Sequence, residues 1–169
     1  MMSGILHADE TLCTAADERL AIAVWHGEPT LHHMNLLEDM VRERVRLYAS
    51  NILLVIVEQP VLPAEASRAR MTEVMVRYKE NLAAIGVVIE VEGLFGMALR
   101  TLGRGVVVAS RTRTPTTFAS SVAEAVDNMG QAFNRARLEP TRVLKSVHQI
   151  RERYASSIPP PPGAELPRA

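Results

Sequence analysis

Residues 51–58 read Asn51-Ile52-Leu53-Leu54-Val55-Ile56-Val57-Glu58, an unbroken run of six apolar side chains between two polar ends. A run of this length is typical of a strand rather than a helix, and four of the six side chains are β-branched. Because polar residues do not alternate with apolar ones, both faces of the strand must be covered, as in the centre of a parallel sheet. The segment therefore predicts an α/β fold.

Amphipathic helices are predicted on both sides of this strand. Before it, apolar residues recur every three to four positions over residues 31–49, with Thr30 as a candidate N-cap. The opposite face of that helix carries Glu38 among charged residues that can pair along the helix. After the strand, a proline-containing loop leads into a second helix over residues 64–82, with Met71 among its inward side chains.

Further elements extend the pattern in both directions. Residues 11–16 and 20–26 predict a β-hairpin, and residues 83–92 predict another buried strand. Residues 111–118 are rich in threonine and extended, and Pro115 excludes a central position in the sheet. A helix capped by Ser120 or Ser121 is predicted to reach about residue 133, and Glu124 completes a capping-box spacing from Ser121. One more helix is predicted over residues 141–155.

Residues 93–110 allow two interpretations. Taken alone, residues 105–110 (Gly-Val-Val-Val-Ala-Ser) favour a strand. Yet apolar residues at helical spacing favour one helix over residues 94–110, in which Gly103 and Gly105 would each cost about 1 kcal/mol relative to alanine. Periodicity alone does not decide between them.

Proline-rich and polar segments suggest the domain organisation. We expect an N-terminal extension over residues 1–9 and one α/β domain over residues 10–138. An additional C-terminal helix follows over residues 140–155. Residues 156–169 include four consecutive prolines and predict a disordered tail.

Charge and cysteine content exclude several classes of protein. Lysine plus arginine and aspartate plus glutamate are 19 each, so the chain lacks the basic excess of a nucleic-acid-binding protein. Cys13 is the single cysteine, which excludes an intramolecular disulfide. There is no secretory signal pattern and no apolar run near the ~20 residues of a membrane span. We therefore expect a cytoplasmic protein.

Motifs for catalysis and cofactor binding each lack an essential member. The glycines between residues 93 and 105 are not followed by the Lys-Ser/Thr of a phosphate-binding loop, and their spacing does not fit a dinucleotide fingerprint. We expect no catalytic residue, no cofactor and no enzymatic activity. The acid–base alternative would use Glu58, Glu90 and Glu92, at the ends of two central strands.

No metal site is predicted, although three histidines lie close together in the sequence. His32 and His33 are adjacent, so on a helix their side chains point about 100° apart. If a metal ion bound, the candidate ligands would be His26, His32 and His33, with Glu28 or Glu38 completing the shell.

A candidate partner surface lies in residues 93–123, which contain no acidic side chain. Its basic residues suit an acidic partner, and its apolar residues suit a second copy of the chain. The candidate contact residues are Leu99, Arg100, Arg104, Val106, Arg111 and Arg113. We expect a homodimer. An alternative uses the inward methionines, which fill the core or line a pocket for a small apolar ligand.

Two features of the sequence resemble a known superfamily. They are the order of the elements and the segment from Phe118 to Val126 (Phe-Ala-Ser-Ser-Val-Ala-Glu-Ala-Val). This segment resembles the step from last strand into last helix of the STAS-like (anti-sigma-factor-antagonist-like) superfamily, in particular short bacterial members without assigned activity. The resemblance covers about residues 10–133. It implies a mixed, mostly parallel sheet of four to five strands packed with helices, and a helix over residues 94–110. It also implies a non-catalytic regulatory or protein-interaction module, the alternative being an apolar-ligand or lipid-binding protein.

One departure from that family concerns its regulatory phosphoserine. Regulatory members carry Asp-x-Ser-Gly after the central strand, where this chain has Glu-Gln-Pro-Val-Leu-Pro-Ala-Glu-Ala-Ser over residues 58–67. Ser67 is the nearest hydroxyl and lies a turn too late. The sequence therefore offers only Ser67 as a weak candidate phosphorylation site.

Overall fold

The computed structural model describes residues 4–59, 61–111 and 113–157. Its strands are β1 (Gly4–Ala8), β2 (Leu12–Asp17), β3 (Leu20–Trp25), β4 (Asn51–Val57), β5 (Leu82–Ile89) and β6 (Thr116–Ala119). Its helices are α1 (Leu31–Leu47), α2 (Glu65–Arg77), α3 (Gly93–Ser110), α4 (Val122–Asn128), α5 (Gly130–Ala136) and α6 (Pro140–Ser157).

These strands form one mixed sheet in which spatial order equals chain order, β1-β2-β3-β4-β5-β6. The first three strands pair antiparallel, and β3 to β6 pair parallel. β4 lies between β3 and β5 with six of its seven residues buried. The predicted central strand and the α/β class are therefore confirmed.

The strand count differs from the prediction of four to five because of β1. This strand lies inside the segment expected to be an N-terminal extension, and it pairs antiparallel with β2. The strand has five residues and is partly exposed, and its pairing with β2 is interrupted by a register shift between Ile5 and His7. Such a segment carries little hydrophobic alternation, so only its pairing with β2 identifies it as a strand.

Helices cover both faces of the sheet. Successive right-handed crossovers in one direction place α1, α2 and α3 on the same face. On that face Leu53 and Val55 of β4 pack with residues of the three helices. On the other face Ile52, Leu54 and Ile56 pack with α4, α5 and α6. Alternation along β4 thus supplies two separate cores, as the unbroken apolar run required.

Residues 93–110 form one helix, which is the second of the two interpretations. Both glycines are accommodated in it for different reasons. A Cβ at Gly103 would lie 2.5 Å from Cε1 of Phe118, so the helix contacts β6 closely there. A Cβ at Gly105 would meet nothing within 4 Å.

Glu38, which the sequence places on the charged face of α1, joins α1 to α2. Its side chain is only 4% exposed. The carboxylate accepts hydrogen bonds from Arg70, Arg77 and, at 3.3 Å, the hydroxyl of Tyr78. Because α2 packs beside α1, a position that is polar by helical periodicity becomes a buried ion-pair site between two helices.

Asp17 fixes α6 on the sheet. At the end of β2 its buried carboxylate accepts hydrogen bonds from Arg142 Nη2 at 2.7 Å, Arg142 Nε at 3.1 Å and Ser146 Oγ at 2.8 Å. α6 also contributes Val147 and Ile150 to the core between the sheet and helices α4, α5 and α6 (the second core). The helix expected as an addition to the domain is therefore part of its packing.

The helix predicted from Ser121 to about residue 133 is divided into α4 and α5 at Met129. Ser121 caps α4 as expected, accepting a hydrogen bond from the N–H of Glu124 at 3.2 Å. Met129 packs on β5 beside Gly86, where a Cβ would lie 2.6 Å from its Sδ. Of the predicted tail, residues 156 and 157 belong to α6, and residues 158–169 lie outside the described residues.

Candidate functional site

An apolar cavity of about 120 Å³ lies between the sheet and helices α2 and α3. Its floor consists of side chains from the parallel strands, including Val55, Val57, Ile85, Val87, Ile89 and Phe118. Its roof consists of side chains from the two helices, including Met71, Val74, Met75, Leu99, Leu102 and Val106. A concave site with almost entirely apolar walls is the usual setting for a small-molecule ligand.

Local sequence explains why a space remains at this position. Every second side chain of β4 and β5 belongs to the floor of the cavity. Most of these residues are valine or isoleucine, whose side chains are short. Gly103 of α3 lies directly against the ring of Phe118, and both residues line the cavity. Arg104 also lies over that ring, with its Cζ 5.8 Å from the centroid. The Phe118 ring therefore sets the height of α3 above the sheet.

Polar groups gather at the cavity end that is formed by the C-terminus of β3 and the start of α2. Trp25, the last residue of β3, lines the cavity and is 3% exposed. Ser67 donates a hydrogen bond to the carbonyl of Pro29 at 2.8 Å and so holds the first turn of α2 beside the loop after β3. Arg68 follows and lines the same cavity.

Two of these polar groups have no hydrogen-bond partner among the described residues. They are Nε1 of Trp25 and Nε of Arg68, both buried. Buried donors are normally paired, so each unpaired one needs an explanation. Trp25 and Arg68 were not singled out from the sequence. The available signal was the inward stripe of α2, which reaches Arg68 when it is extended back from Met71 by one turn.

The candidate partner surface on α3 is differently arranged from the sequence expectation. Leu99 is buried, and both Leu99 and Val106 line the cavity instead of facing outward. The outward apolar residues are Leu94, Phe95, Met97 and Val108. Of the basic candidates, Arg104, Arg111 and Arg113 are exposed, and Arg100 is half-buried.

A charged cluster lies at the carboxyl ends of β3, β4 and β5. Glu58 lies 2.9 Å from His26 Nδ1 and 2.8 Å from Arg151 Nε as an ion-pair partner, and Arg151 Nη2 donates to Glu90 at 2.6 Å. The hydrogen bond with His26, aided by Arg151 and opposed by burial, lowers the pKa of Glu58. The ring of His26 stacks on Tyr154 with centroids 4.1 Å apart. Glu92 is exposed beyond β5.

This cluster ties α6 to the edge of the sheet through the ion pairs of Arg151 with Glu58 and Glu90. The two carboxylates that were candidates for acid–base chemistry share one guanidinium, supplied by Arg151 of α6. A carboxylate whose pKa is lowered is a weak general base at neutral pH. Sequence analysis brought Glu58 and Glu90 to the same edge, but it did not identify Arg151, which comes from a helix more than 60 residues later.

Cys13 lies in the second core and is fully buried. Burial, with smaller contributions from the charges of Glu58 and Asp9, raises its pKa to about 11. Because the thiolate is the nucleophilic form, a thiol with this pKa is unreactive at neutral pH.

The three candidate metal-binding histidines have separate environments. His26 belongs to the charged cluster, and His32 is exposed on α1. His33 Nδ1 lies 3.2 Å from the backbone N–H of Thr30, and its Nε2 lies 3.1 Å from Asp9. Within the described ranges, no group of three or more metal-ligating side chains is close enough to hold an ion.

Ser67, the weak candidate phosphorylation site, is 3% exposed. Its hydroxyl is engaged with the carbonyl of Pro29. Phosphorylation would require the first turn of α2 to leave the loop after β3. The hydroxyl therefore serves the packing of α2 in this conformation.

Comparisons with known proteins add no identity to this geometry. Among the helices of residues 4–157 that are described, none combines the length and apolar character needed to cross a membrane. No protein-family model matches the chain, and no curated protein or solved structure matches it.

Proposed function

We propose that this chain acts by binding a small apolar ligand in the cavity between the sheet and helices α2 and α3. The observation that carries the proposal is the cavity itself, whose walls are mostly apolar, with Ser67, Arg68 and Thr116 as polar members of the lining. An unfilled cavity of about 120 Å³ costs about 3 kcal/mol at roughly 24 cal/mol per Å³. A ligand of matching shape recovers part of that free energy through contacts.

The size of the cavity limits the class of ligand. An engineered apolar cavity of about 150 Å³ is known to take benzene. A cavity of about 120 Å³ suits a single ring or a hydrocarbon chain of about six carbons. Its place between α2 and α3, near the carboxyl ends of parallel strands, is also where open α/β sheets bind ligands.

Trp25 provides a direct measurement, since it is the single tryptophan and lines the cavity. Titration with 1-hexanol is expected to change its emission, with a dissociation constant of about 0.1–1 mM for seven heavy atoms. Val106→Phe fills the cavity and is expected to weaken binding at least tenfold without lowering the melting temperature.

Val108→Phe is the matched control, because Val108 lies two residues further along the same helix and is 76% exposed. This variant is expected to bind 1-hexanol like the wild type. Equal binding by the Val106→Phe and wild-type proteins, or no binding by the wild type of either 1-hexanol or benzene, contradicts the proposal.

Self-association through α3 is the second candidate function. It is favoured by one observation, the outward apolar side chains Leu94, Met97 and Val108 on a helix without acidic residues. A non-catalytic interaction module of STAS-like type would use such a surface. Light scattering after size-exclusion chromatography is expected to give a dimer for the wild type and a monomer for Met97→Glu. A monomeric wild type at 0.5 mM contradicts this candidate.

A further inference from the structure

The polar side chains in the wall of the cavity point to the chemical class of the ligand. Ser67 donates to the carbonyl of Pro29, and Thr116, at the β6 end of the cavity, donates to the carbonyl of Thr114 at 3.2 Å. The hydroxyl groups in the wall are therefore satisfied. Among the described residues that line the cavity, the buried side-chain donors without a partner are Nε1 of Trp25 and Nε of Arg68.

These two donors belong to the same end of the cavity. Trp25 ends β3, and the hydrogen bond from Ser67 to the carbonyl of Pro29 draws the start of α2 to the loop after β3. Arg68 is the next residue of that helix. Both donors thus belong to residues that line the cavity, on elements that the Ser67 hydrogen bond connects.

Arg68 is the charged side chain of the cavity lining, and Glu65 is the acidic side chain in the first turn of α2. Arg68 has no ion pair within the described residues, whereas Arg70 and Arg77 of the same helix both pair with Glu38. The N-terminus of α2 adds the positive end of its dipole, and its N-cap residue, Ala64, supplies no side-chain hydrogen bond. An anionic acceptor is the group that complements a guanidinium N–H, an indole N–H and an uncapped helix start.

We propose that the ligand is a small apolar carboxylic acid in its anionic form. Its carboxylate accepts hydrogen bonds from Nε of Arg68 and Nε1 of Trp25, and its hydrocarbon part occupies the cavity between α2 and α3. A carboxylate fits better than a phosphate, because one guanidinium supplies one positive charge and a monoanion needs no more. This inference rests on the proposed function and names the substrate class of the same site.

The test compares hexanoate with 1-hexanol by isothermal titration calorimetry at pH 7. The two ligands have the same chain length and differ in the head group. The wild type is expected to bind hexanoate at least tenfold more tightly than 1-hexanol. Arg68→Met keeps the length of the side chain but removes the charge, and it is expected to abolish this preference.

Two further variants sharpen the comparison. Trp25→Phe keeps an aromatic wall but removes the N–H, and it is expected to reduce the preference for hexanoate about threefold to tenfold. Arg46→Met removes a charge from the outer surface of α1, where the side chain is 77% exposed, and it is expected to leave the preference unchanged.

The outcomes distinguish a failure of the carboxylate inference from a failure of the proposed apolar binding site. If the wild type binds 1-hexanol as tightly as hexanoate, or if Arg68→Met keeps the full preference, the carboxylate inference is overturned and the apolar cavity stands. If neither ligand binds and Trp25 emission does not respond, both proposals are overturned. A preference that falls equally in Arg46→Met shows a general charge effect and also overturns the role of Arg68.

Discussion

The ion pair between Asp17 and Arg142 offers the sharpest test of how α6 is held on the sheet. Arg142→Met removes both guanidinium hydrogen bonds to Asp17, whose carboxylate is 5% exposed, and leaves it with Ser146. Breaking a buried pair costs about 3–5 kcal/mol, and hydrogen bonds to charged groups contribute about 1.5–3 kcal/mol each. Because the arginine side chain is 36% exposed, water reaches the site and the lower end applies, about 3 kcal/mol.

The assay is urea and thermal unfolding followed by circular dichroism. A loss of about 3 kcal/mol lowers the melting temperature by roughly 6–12 °C for a chain of this size. Arg42→Met is the matched control, because Arg42 pairs with Asp39 on the surface of α1 with both side chains more than half exposed. Such a pair contributes a few tenths of a kcal/mol, so this variant is expected to unfold within about 2 °C of the wild type.

Acid titration adds a second readout. Burial works to raise the pKa of Asp17, but hydrogen bonds from Arg142 and Ser146 outweigh it and lower the pKa below its ordinary value. The stabilisation is therefore complete above the unfolded pKa of about 3.9 and is lost as pH falls through the lower folded pKa. The difference between the wild type and Arg142→Met is expected to be largest at neutral pH and to shrink below about pH 4.

A double variant decides whether the cost comes from an abandoned charge. Asp17→Asn combined with Arg142→Met removes both charges and keeps an amide beside Ser146, so it is expected to recover at least half of the lost stability. The reasoning is refuted if Arg142→Met unfolds like Arg42→Met. It is equally refuted if the double variant is as unstable as Arg142→Met at pH 7.

Two further predictions concern α3 and the buried thiol. Gly103→Ala places a Cβ 2.5 Å from the Phe118 ring and is expected to destabilise the protein by about 1–3 kcal/mol. Gly105→Ala has open space around its Cβ and is expected to stabilise the protein by about 1 kcal/mol. Equal effects of the two changes in urea unfolding would contradict the packing of α3 on β6. Cys13, whose pKa is raised to about 11 by burial, is expected to react with Ellman's reagent at pH 8 only at the rate of unfolding; reaction within seconds in the native protein would show that the second core is open.

The framework of the fold follows from local sequence because its signals are strong. The apolar run of β4 had to be covered on both faces, and helical periodicity on either side supplied the covering elements. Thr30 ends up as the N-cap of α1, accepting from the N–H of His33. For α3, the local pattern was compatible with either a strand or a helix. The structure has the helix, in which Gly103 permits close contact with Phe118. That contact depends on residues 15 positions apart and is invisible to periodicity.

The candidate site is harder to predict because its parts come from distant positions. Trp25 and Arg68 line the same cavity although they are 43 positions apart, and the hydrogen bond from Ser67 to the carbonyl of Pro29 joins the elements that carry them. For Glu38 the sequence pattern indicated a polar helical face, whereas its partners on α2 bury the side chain. In each case tertiary packing assigns the role, and a single-sequence pattern has no access to it.

The identity of spatial and chain order in the sheet has a consequence for synthesis. Each strand can join the preceding one as soon as it leaves the ribosome, and α1 to α3 cover one face as they appear. The opposite face stays bare until α4, α5 and α6 have followed α3, roughly 2–9 s later at about 5–20 residues per second. During that interval the nascent chain presents an apolar surface across the whole sheet. It is then that a chaperone, or another nascent chain, has its best opportunity to capture this protein.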